Sequence, residues 1–98
     1  MMQLFFKAGE LEKRSNRGFW QKRHFETLNS YLCYWKSSAK AEMCGAIDLR
    51  ELAPPSVGKG AADRVVTLRR EAAAFLPAAS FELRAPDRAT ACAWAEVL

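Results

Sequence analysis

The alternation of apolar and polar residues predicts a β-hairpin near the start of the chain. From residue 4 to residue 14 the period is two, so Leu11 and Lys13 share one face of a strand while Glu12 and Arg14 share the other. The residues SNRG (15–18) are typical of a turn, and the aromatic-rich stretch FWQKRHFETL (19–28) returns as an antiparallel partner.

The same criteria predict further strands along the chain. A turn at Asn29 and Ser30 precedes YLCYWK (31–36), and CGAIDL (44–49), RVVTLR (64–69) and FELRA (81–85) follow. The stretch APPSVGKGAAD (53–63) shows no period and is expected to be a loop. The stretch AAAFL (72–76) fits a strand or a helix, since alanine favours helices. Counting it as a strand gives seven.

The last twelve residues change to a helical period. Asp87 is suited to cap a helix that spans 87–98, with Pro86 blocking its extension upstream. One face of this helix gathers apolar and small residues, namely Thr90, Ala91, Trp94, Val97 and Leu98. We therefore expect one mainly-β domain over residues 1–98, a bent antiparallel sheet or open barrel plugged at one end by an amphipathic helix.

Length and composition narrow the class of protein. The chain has 98 residues, of which 27% are charged, and no apolar run approaches the roughly 20 residues that span a bilayer. Its start, MMQLFFKAG, does not resemble a secretory signal peptide. A cytoplasmic protein with at most peripheral membrane contact is expected.

Cysteine and histidine usage argues against catalysis and metal binding. Cys33, Cys44 and Cys92 are odd in number and widely spaced, so we expect reduced thiols that are buried or half-buried. His24 is the only histidine and has only Glu26 as a nearby carboxylate. No enzyme, metal or cofactor is predicted.

Positive charge is concentrated in the first part of the chain. Residues 1–40 carry eight Lys or Arg against three Glu, while residues 41–98 carry seven against eight acidic residues. This asymmetry indicates an anionic partner for the first part: a membrane surface, an inositol phosphate or a nucleic acid. A solvated strand surface is the alternative.

The order of these elements resembles a pleckstrin homology (PH) domain. The similarity rests on GELEKR (9–14), WQKRHFETL (20–28), YLCYWK (31–36), IDL (47–49) and FELRAPDRATACAW (81–94), the last of which holds the tryptophan typical of the family. The resemblance implies a seven-stranded bent sandwich or open barrel capped by the helix. It also implies peripheral membrane targeting, often by binding phosphoinositide head groups at the open end opposite the helix.

Alternation also predicts which side chains face that open end. If Leu11, Phe25 and Leu32 point into the core, then Lys13, Arg23 and Tyr34 lie on the same inward side. An arginine fork, a lysine point charge and a phenol hydroxyl together suit a phosphate group. Gln21, on the face of Arg23, stands where strong binders of the family carry Lys or Arg, which indicates weaker or less selective binding.

The complete predicted head-group site adds basic residues around this opening. The turn 15–18 is expected to contribute backbone N–H groups, and Arg14, Arg17 and Lys22 add positive charge worth about 1 kcal/mol each beside an anionic membrane. The predicted site residues are therefore Lys13, Arg14, Arg17, Lys22, Arg23 and Tyr34.

Other interpretations of these residues remain open. Arg23 could form an ordinary salt bridge with Glu10 or Glu12, and Trp20 and Trp35 are more simply packing residues on the outer face of the sheet than membrane anchors. The alternative function is a protein interaction module that uses a strand edge or the helix face. Nucleic-acid binding ranks last, because no aromatic stacking platform is evident. We expect a monomer.

Overall fold

A computed structural model describes residues 6–98, and all of its strands belong to one antiparallel sheet. Its elements are β1 (Ala8–Arg14), β2 (Trp20–Leu28), β3 (Tyr31–Trp35), β4 (Met43–Asp48), β5 (Ser56–Val57), β6 (Val65–Arg70), β7 (Ala79–Arg84) and the helix α1 (Arg88–Val97). The strand order is β4-β3-β2-β1-β7-β6-β5, so the sheet is not closed and β4 and β5 are its edges. The predicted fold class, seven antiparallel strands with one C-terminal helix, is confirmed.

The core lies on the face of the sheet that the alternation predicts. Leu11, Phe25 and Leu32 are all buried. They pack in one cluster with residues from β4, β6, β7 and α1, namely Ile47, Val66, Leu68, Leu83, Ala91 and Trp94. Alternate side chains of each strand thus face the core and are buried, and the burial of this apolar surface stabilises the fold.

The helix begins and packs as its sequence predicts. The side chain of Asp87 accepts a hydrogen bond from the Thr90 backbone N–H at 2.7 Å, which caps the first turn. Trp94 is only 2% exposed and lies against Gly9, where β1 begins. The ammonium group of Lys7 lies 5.3 Å from the centre of the Trp94 ring. The helix therefore covers the end of the sheet at which β1 starts.

Three parts of the predicted organisation differ from the structure. The predicted loop 53–63 contains β5, which pairs with β6 through Ser56 opposite Thr67 and Val57 opposite Val66. The stretch 72–76 is neither strand nor helix but a tight turn joining β6 to β7. The strand expected from residue 4 is described from Ala8, and residues 4 and 5 lie outside the described residues.

The three cysteines are free, but one of them is exposed rather than buried or half-buried as expected. Cys33 is buried and Cys92 is half-buried, as expected, whereas Cys44 is exposed. It lies on β4, an edge strand with only one hydrogen-bonded neighbour in the sheet of residues 6–98, so its side chain finds less cover than a central strand provides.

Strand direction places three turns at one end of the sheet. Strands β1, β3 and β6 run in the same sense, because neighbours in the order are antiparallel. The turns that follow them, residues 15–19, 36–42 and 71–78, therefore share one end, which we call the rim. The start of β1 and its contact with Trp94 lie at the opposite end.

Candidate functional site: a basic group at the rim

The inner face of the sheet brings Lys13, Arg23 and Tyr34 together near the rim. Arg23 pairs with Leu11 across β1 and β2, and Tyr34 pairs with Phe25 across β2 and β3. The Lys13 Nζ lies 5.5 Å from the centre of the Tyr34 ring, which stacks on Phe25 at 5.4 Å between ring centres. This juxtaposition was predicted from strand alternation.

A second aromatic ring beside Lys13 was not predicted. Phe81 on β7 lies 5.9 Å from the Lys13 Nζ, because β7 is the other neighbour of β1 in the sheet. Two aromatic rings therefore flank the ammonium group and favour its positive charge electrostatically.

Lys13 and Arg23 form a positive pair without a carboxylate at hand. Burial, and then the charge of Arg23, lower the pKa of Lys13. In the part of the chain that the structure describes, no carboxylate oxygen lies within 4.0 Å of either cation. An anion placed here would relieve the repulsion between the two charges.

Arg23 is held by its own strand rather than by an acid. Its Nη1 donates to the Lys22 carbonyl at 2.7 Å and its Nη2 donates to the Gln21 Oε1 at 3.3 Å. The alternative salt bridges to Glu10 or Glu12 do not form, because Glu10 pairs with Lys22 and Glu12 pairs with Arg84. The guanidinium group thus keeps donor capacity for a ligand.

Tyr34 is a half-buried hydroxyl donor at the edge of this pair. Burial, with a smaller contribution from Cys44, raises the pKa of Tyr34, although the positive charge of Arg23 opposes the shift. The phenol therefore stays protonated at neutral pH.

The Tyr34 ring fits because Gly45 faces it on β4. A Cβ on Gly45 would lie 2.6 Å from the Tyr34 Oη, closer than two such atoms can pack. Gly45 is not among the residues predicted from the sequence, although a glycine inside a strand often marks a close approach of this kind.

The remaining predicted site residues lie elsewhere around the hairpin. Arg14 and Lys22 face the outer side, where Arg14 pairs with Glu82 at 3.4 Å and Lys22 approaches Glu10 at 3.8 Å. Arg17 is exposed in the turn 15–19. The six predicted residues are thus split between an inner group (Lys13, Arg23 and Tyr34), an outer pair and one turn residue.

The turn 15–19 is closed by its own hydrogen bonds. The N–H of Ser15 donates to the Phe19 carbonyl at 2.7 Å, and the N–H of Gly18 donates to the Ser15 carbonyl at 2.9 Å. The Phe19 N–H donates to the Ser15 Oγ at 3.1 Å. Gly18 has a φ of 87°, which favours glycine. The expectation that residues 15–18 offer backbone donors therefore fails for Ser15 and Gly18.

The outer face of the hairpin is an ion-paired and aromatic layer. Arg84 forms two hydrogen bonds with the Glu12 carboxylate at 2.9 and 3.0 Å and lies 4.4 Å from the Trp20 ring centre. Trp35 is buried beside His24 and beneath the Lys40 ammonium group. The prediction that Trp20 and Trp35 pack on the outer face is confirmed.

Residues 6–98 offer neither a metal-binding cluster nor a membrane-spanning helix. No group of three or more His, Cys, Asp or Glu side chains there is arranged to hold a metal ion. The same residues include no helix with the length and apolarity needed to cross a membrane.

Comparisons with known proteins identify the fold. No protein-family model matches the chain, and no curated protein sequence matches it. Among solved structures, the Slm1 PH domain in complex with inositol-4-phosphate has a TM-score of 0.77 and 16% identity, covering 92% of this chain and 88% of that one. The C-terminal PH domain of human pleckstrin has a TM-score of 0.70 and 21% identity, covering 93% and 74%.

A third match concerns Slm1 again. A structure of its PH domain that demonstrates ligand binding in the non-canonical site has a TM-score of 0.71 and 16% identity, covering 98% of this chain and 94% of that one. At such identities the likeness is one of fold. The chain has the fold of a pleckstrin homology domain.

Proposed function

We propose that this protein is a non-catalytic module that binds a phosphoinositide or other anionic head group at the rim and so attaches to a membrane surface. The observation that carries the proposal is the positive pair of Lys13 and Arg23, which lies beside the Tyr34 ring without a carboxylate partner in the described residues. A cytoplasmic location, peripheral membrane association and a monomeric state belong to the same proposal.

Each inner residue has a separate role in holding a phosphate. The Arg23 guanidinium can bind two phosphate oxygens at once, while the Lys13 ammonium supplies a compact charge and the Tyr34 Oη donates one further bond. Arg17, exposed in the rim turn, adds a cation at the approach to this site. Arg14 and Lys22, on the outer face, contribute only long-range attraction to an anionic surface.

The comparison with Slm1 supports the ligand class. A PH domain that covers most of this chain holds inositol-4-phosphate, so the shared fold is compatible with an inositol phosphate ligand. The proposal for this chain rests on its own basic residues, because the two sequences are only 16% identical.

Two adjacent residues on β2 allow a matched test. Arg23 faces the inner side and Lys22 the outer side, so Arg23→Ala and Lys22→Ala each remove one cation from neighbouring positions. We expect calorimetric titration with inositol-4-phosphate to show a loss of about ten-fold or more for Arg23→Ala, since hydrogen bonds to charged groups contribute about 1.5–3 kcal/mol. Lys22→Ala should bind nearly as the original protein does. Equal affinities for all three proteins would refute the proposal.

A protein interaction module is the second candidate function, and β4 is the observation that favours it. This six-residue strand is an edge of the sheet, so one side of its backbone is available to an added strand. A protein partner bound in this way would be captured equally by the original protein and by Arg23→Ala, and capture would survive high salt. Head-group binding would weaken under both changes.

A further inference from the structure

The turn between β6 and β7 is an exposed apolar projection. Residues 72–80 carry no charged side chain, and the whole of 71–78 is exposed. Phe75, at its tip, is 98% exposed. A fully exposed aromatic side chain buries no apolar surface and so does not stabilise the fold. Its exposure therefore indicates a partner that covers it.

The structure of this turn suits an apolar environment. The backbones of Ala73 and Leu76 exchange two hydrogen bonds, at 2.9 and 3.2 Å, which hold Phe75 at the corner. At the base, the Arg70 guanidinium donates to the Pro77 carbonyl at 3.1 and 3.4 Å. Pairing these backbone groups internally lowers the cost of moving the turn out of water.

The turn lies on the rim, at the end of the sheet that also holds the basic inner group. Lys13 pairs with Leu83 across β1 and β7, so the start of β7 lies near the end of β1. A cavity there is lined jointly by Ser80 and by residues of the turn 15–19. That turn presents Phe19, which is 67% exposed. Two rim turns therefore carry exposed aromatic side chains at the same end of the sheet.

Cationic residues lie at the base of this apolar tip and in the neighbouring rim turn. Arg69 and Arg70 end β6 immediately before the turn, with Glu71 as the one acidic residue between 71 and 80, and Arg17 lies in the neighbouring rim turn. An apolar tip with cations at its base is complementary to a bilayer, whose head-group layer is anionic and whose interior is apolar.

We propose that the turn 71–78 enters the membrane interface and buries Phe75 there while Lys13, Arg23 and Tyr34 hold a head group. This inference rests on the proposed function and assigns it a second contact, with the lipid layer itself. The protein then binds a vesicle more tightly than it binds the same head group free in solution. Burying one aromatic side chain supports a difference of about ten-fold or more.

The test compares two exposed phenylalanines at opposite ends of the sheet. Phe75→Ser changes the rim, whereas Phe6→Ser changes a 67% exposed side chain just before β1, at the end that α1 covers. Each variant is sedimented with phosphatidylcholine vesicles that contain phosphatidylserine and a phosphatidylinositol phosphate. Each is also titrated with free inositol-4-phosphate by calorimetry.

We expect Phe75→Ser to lose about ten-fold in vesicle binding while keeping its affinity for free inositol-4-phosphate. Phe6→Ser should match the original protein in both assays. If Phe75→Ser binds vesicles as tightly as the original protein does, the inference is wrong, and this is the result expected if Phe75 instead contacts a protein partner. The inference is also wrong if the original protein binds no vesicles. Failure of the proposed function gives a different result. In that case the original protein and Arg23→Ala have equal affinities for free inositol-4-phosphate.

Fluorescence can detect insertion of the turn directly, in a variant that still binds vesicles. In Phe75→Trp, insertion should shift the added tryptophan fluorescence to shorter wavelength when vesicles are present, and brominated lipids should quench it. Fluorescence that is unchanged by vesicles to which the protein sediments would contradict insertion of the turn.

Discussion

At the scale of single residues, the environment of Lys13 is the most informative. Its ammonium group lies between two aromatic rings and close to another cation, and burial followed by the charge of Arg23 lowers its pKa. A bound phosphate would offset both effects, because it replaces lost hydration with a negative charge. If a phosphate binds here as proposed, its binding is coupled to the protonation of Lys13.

This coupling predicts a pH dependence of head-group affinity. Lys13 is charged below its lowered pKa, so affinity for inositol-4-phosphate should fall as the pH rises through that pKa, at a lower pH than for an ordinary lysine. Tyr34, whose pKa is raised, stays protonated over this range. Calorimetry from neutral to alkaline pH checks the prediction with Lys13→Arg as control, since arginine keeps its charge. Identical pH profiles for both proteins would contradict it.

Gly45 gives a second prediction at this scale. In Gly45→Ala the new Cβ meets the Tyr34 ring, so we expect a destabilisation of about 1–3 kcal/mol and weaker inositol-4-phosphate binding. Gly9→Ala is the control, because its Cβ would make an ordinary contact of 3.5 Å with Trp94. Thermal unfolding and calorimetry measure the two effects. A Gly45→Ala protein as stable and as tightly binding as Gly9→Ala would show that the Tyr34 position is unimportant.

At the scale of elements, the success of prediction depends on whether an element is specified locally. Strands β1 and β2 follow from alternation within their own residues, and α1 follows from Asp87 and the helical period. Strand β5 has two residues and exists through its pairing with β6, which no local pattern encodes. The turn 71–78 likewise depends on the register of β6 against β7.

The candidate site divides in the same way. Lys13, Arg23 and Tyr34 could be predicted because the period of a strand is strictly two and one apolar neighbour on each strand fixes the inner face. Phe81 and Phe75 could not, because their nearness to the site requires the knowledge that β7 lies beside β1. Alternation also places Arg14 on the face opposite Lys13, but its ion pair with Glu82 again requires the position of β7 beside β1.

The helix cap yields a prediction for a single element. The hydrogen bond from the Thr90 backbone N–H lowers the pKa of Asp87, so the cap stabilises α1 above the ordinary pKa of an aspartate and loses this effect as the pH falls through the lowered value. Asp87→Ala should lower the unfolding temperature by a few degrees at neutral pH. Asp87→Asn should lower it less, since asparagine also caps helices. If both variants unfold as the original does, α1 does not depend on this cap.

At the scale of the whole molecule, α1 and the rim act at opposite ends of one sheet. Trp94 anchors the helix against the start of β1, while the basic inner group lies near the end of that strand, about 13 Å away at the rise of an extended chain. The contact of Trp94 that stabilises the fold and the proposed binding site therefore lie at opposite ends of the sheet.

That separation can be tested at Trp94. Trp94→Ala should cost about 3–5 kcal/mol in the free energy of unfolding, because it empties the largest fully buried side-chain position. Trp94→Phe should cost less and remain folded. Denaturant unfolding measures both, and the folded Trp94→Phe protein should bind inositol-4-phosphate like the original. Weakened binding in that variant would show that the two ends communicate.

The neutralised outer face has a consequence for orientation. Much of the charge on the outer face of the hairpin is cancelled by two ion pairs, Glu12 with Arg84 and Glu82 with Arg14. The uncompensated cations of the hairpin are therefore those of the turn 15–19 and of the inner group. The protein should approach a bilayer end-on, with its strands upright. In that orientation the edge strand β4 faces the solvent beside the membrane. The membrane-bound protein could therefore still bind a second protein along β4.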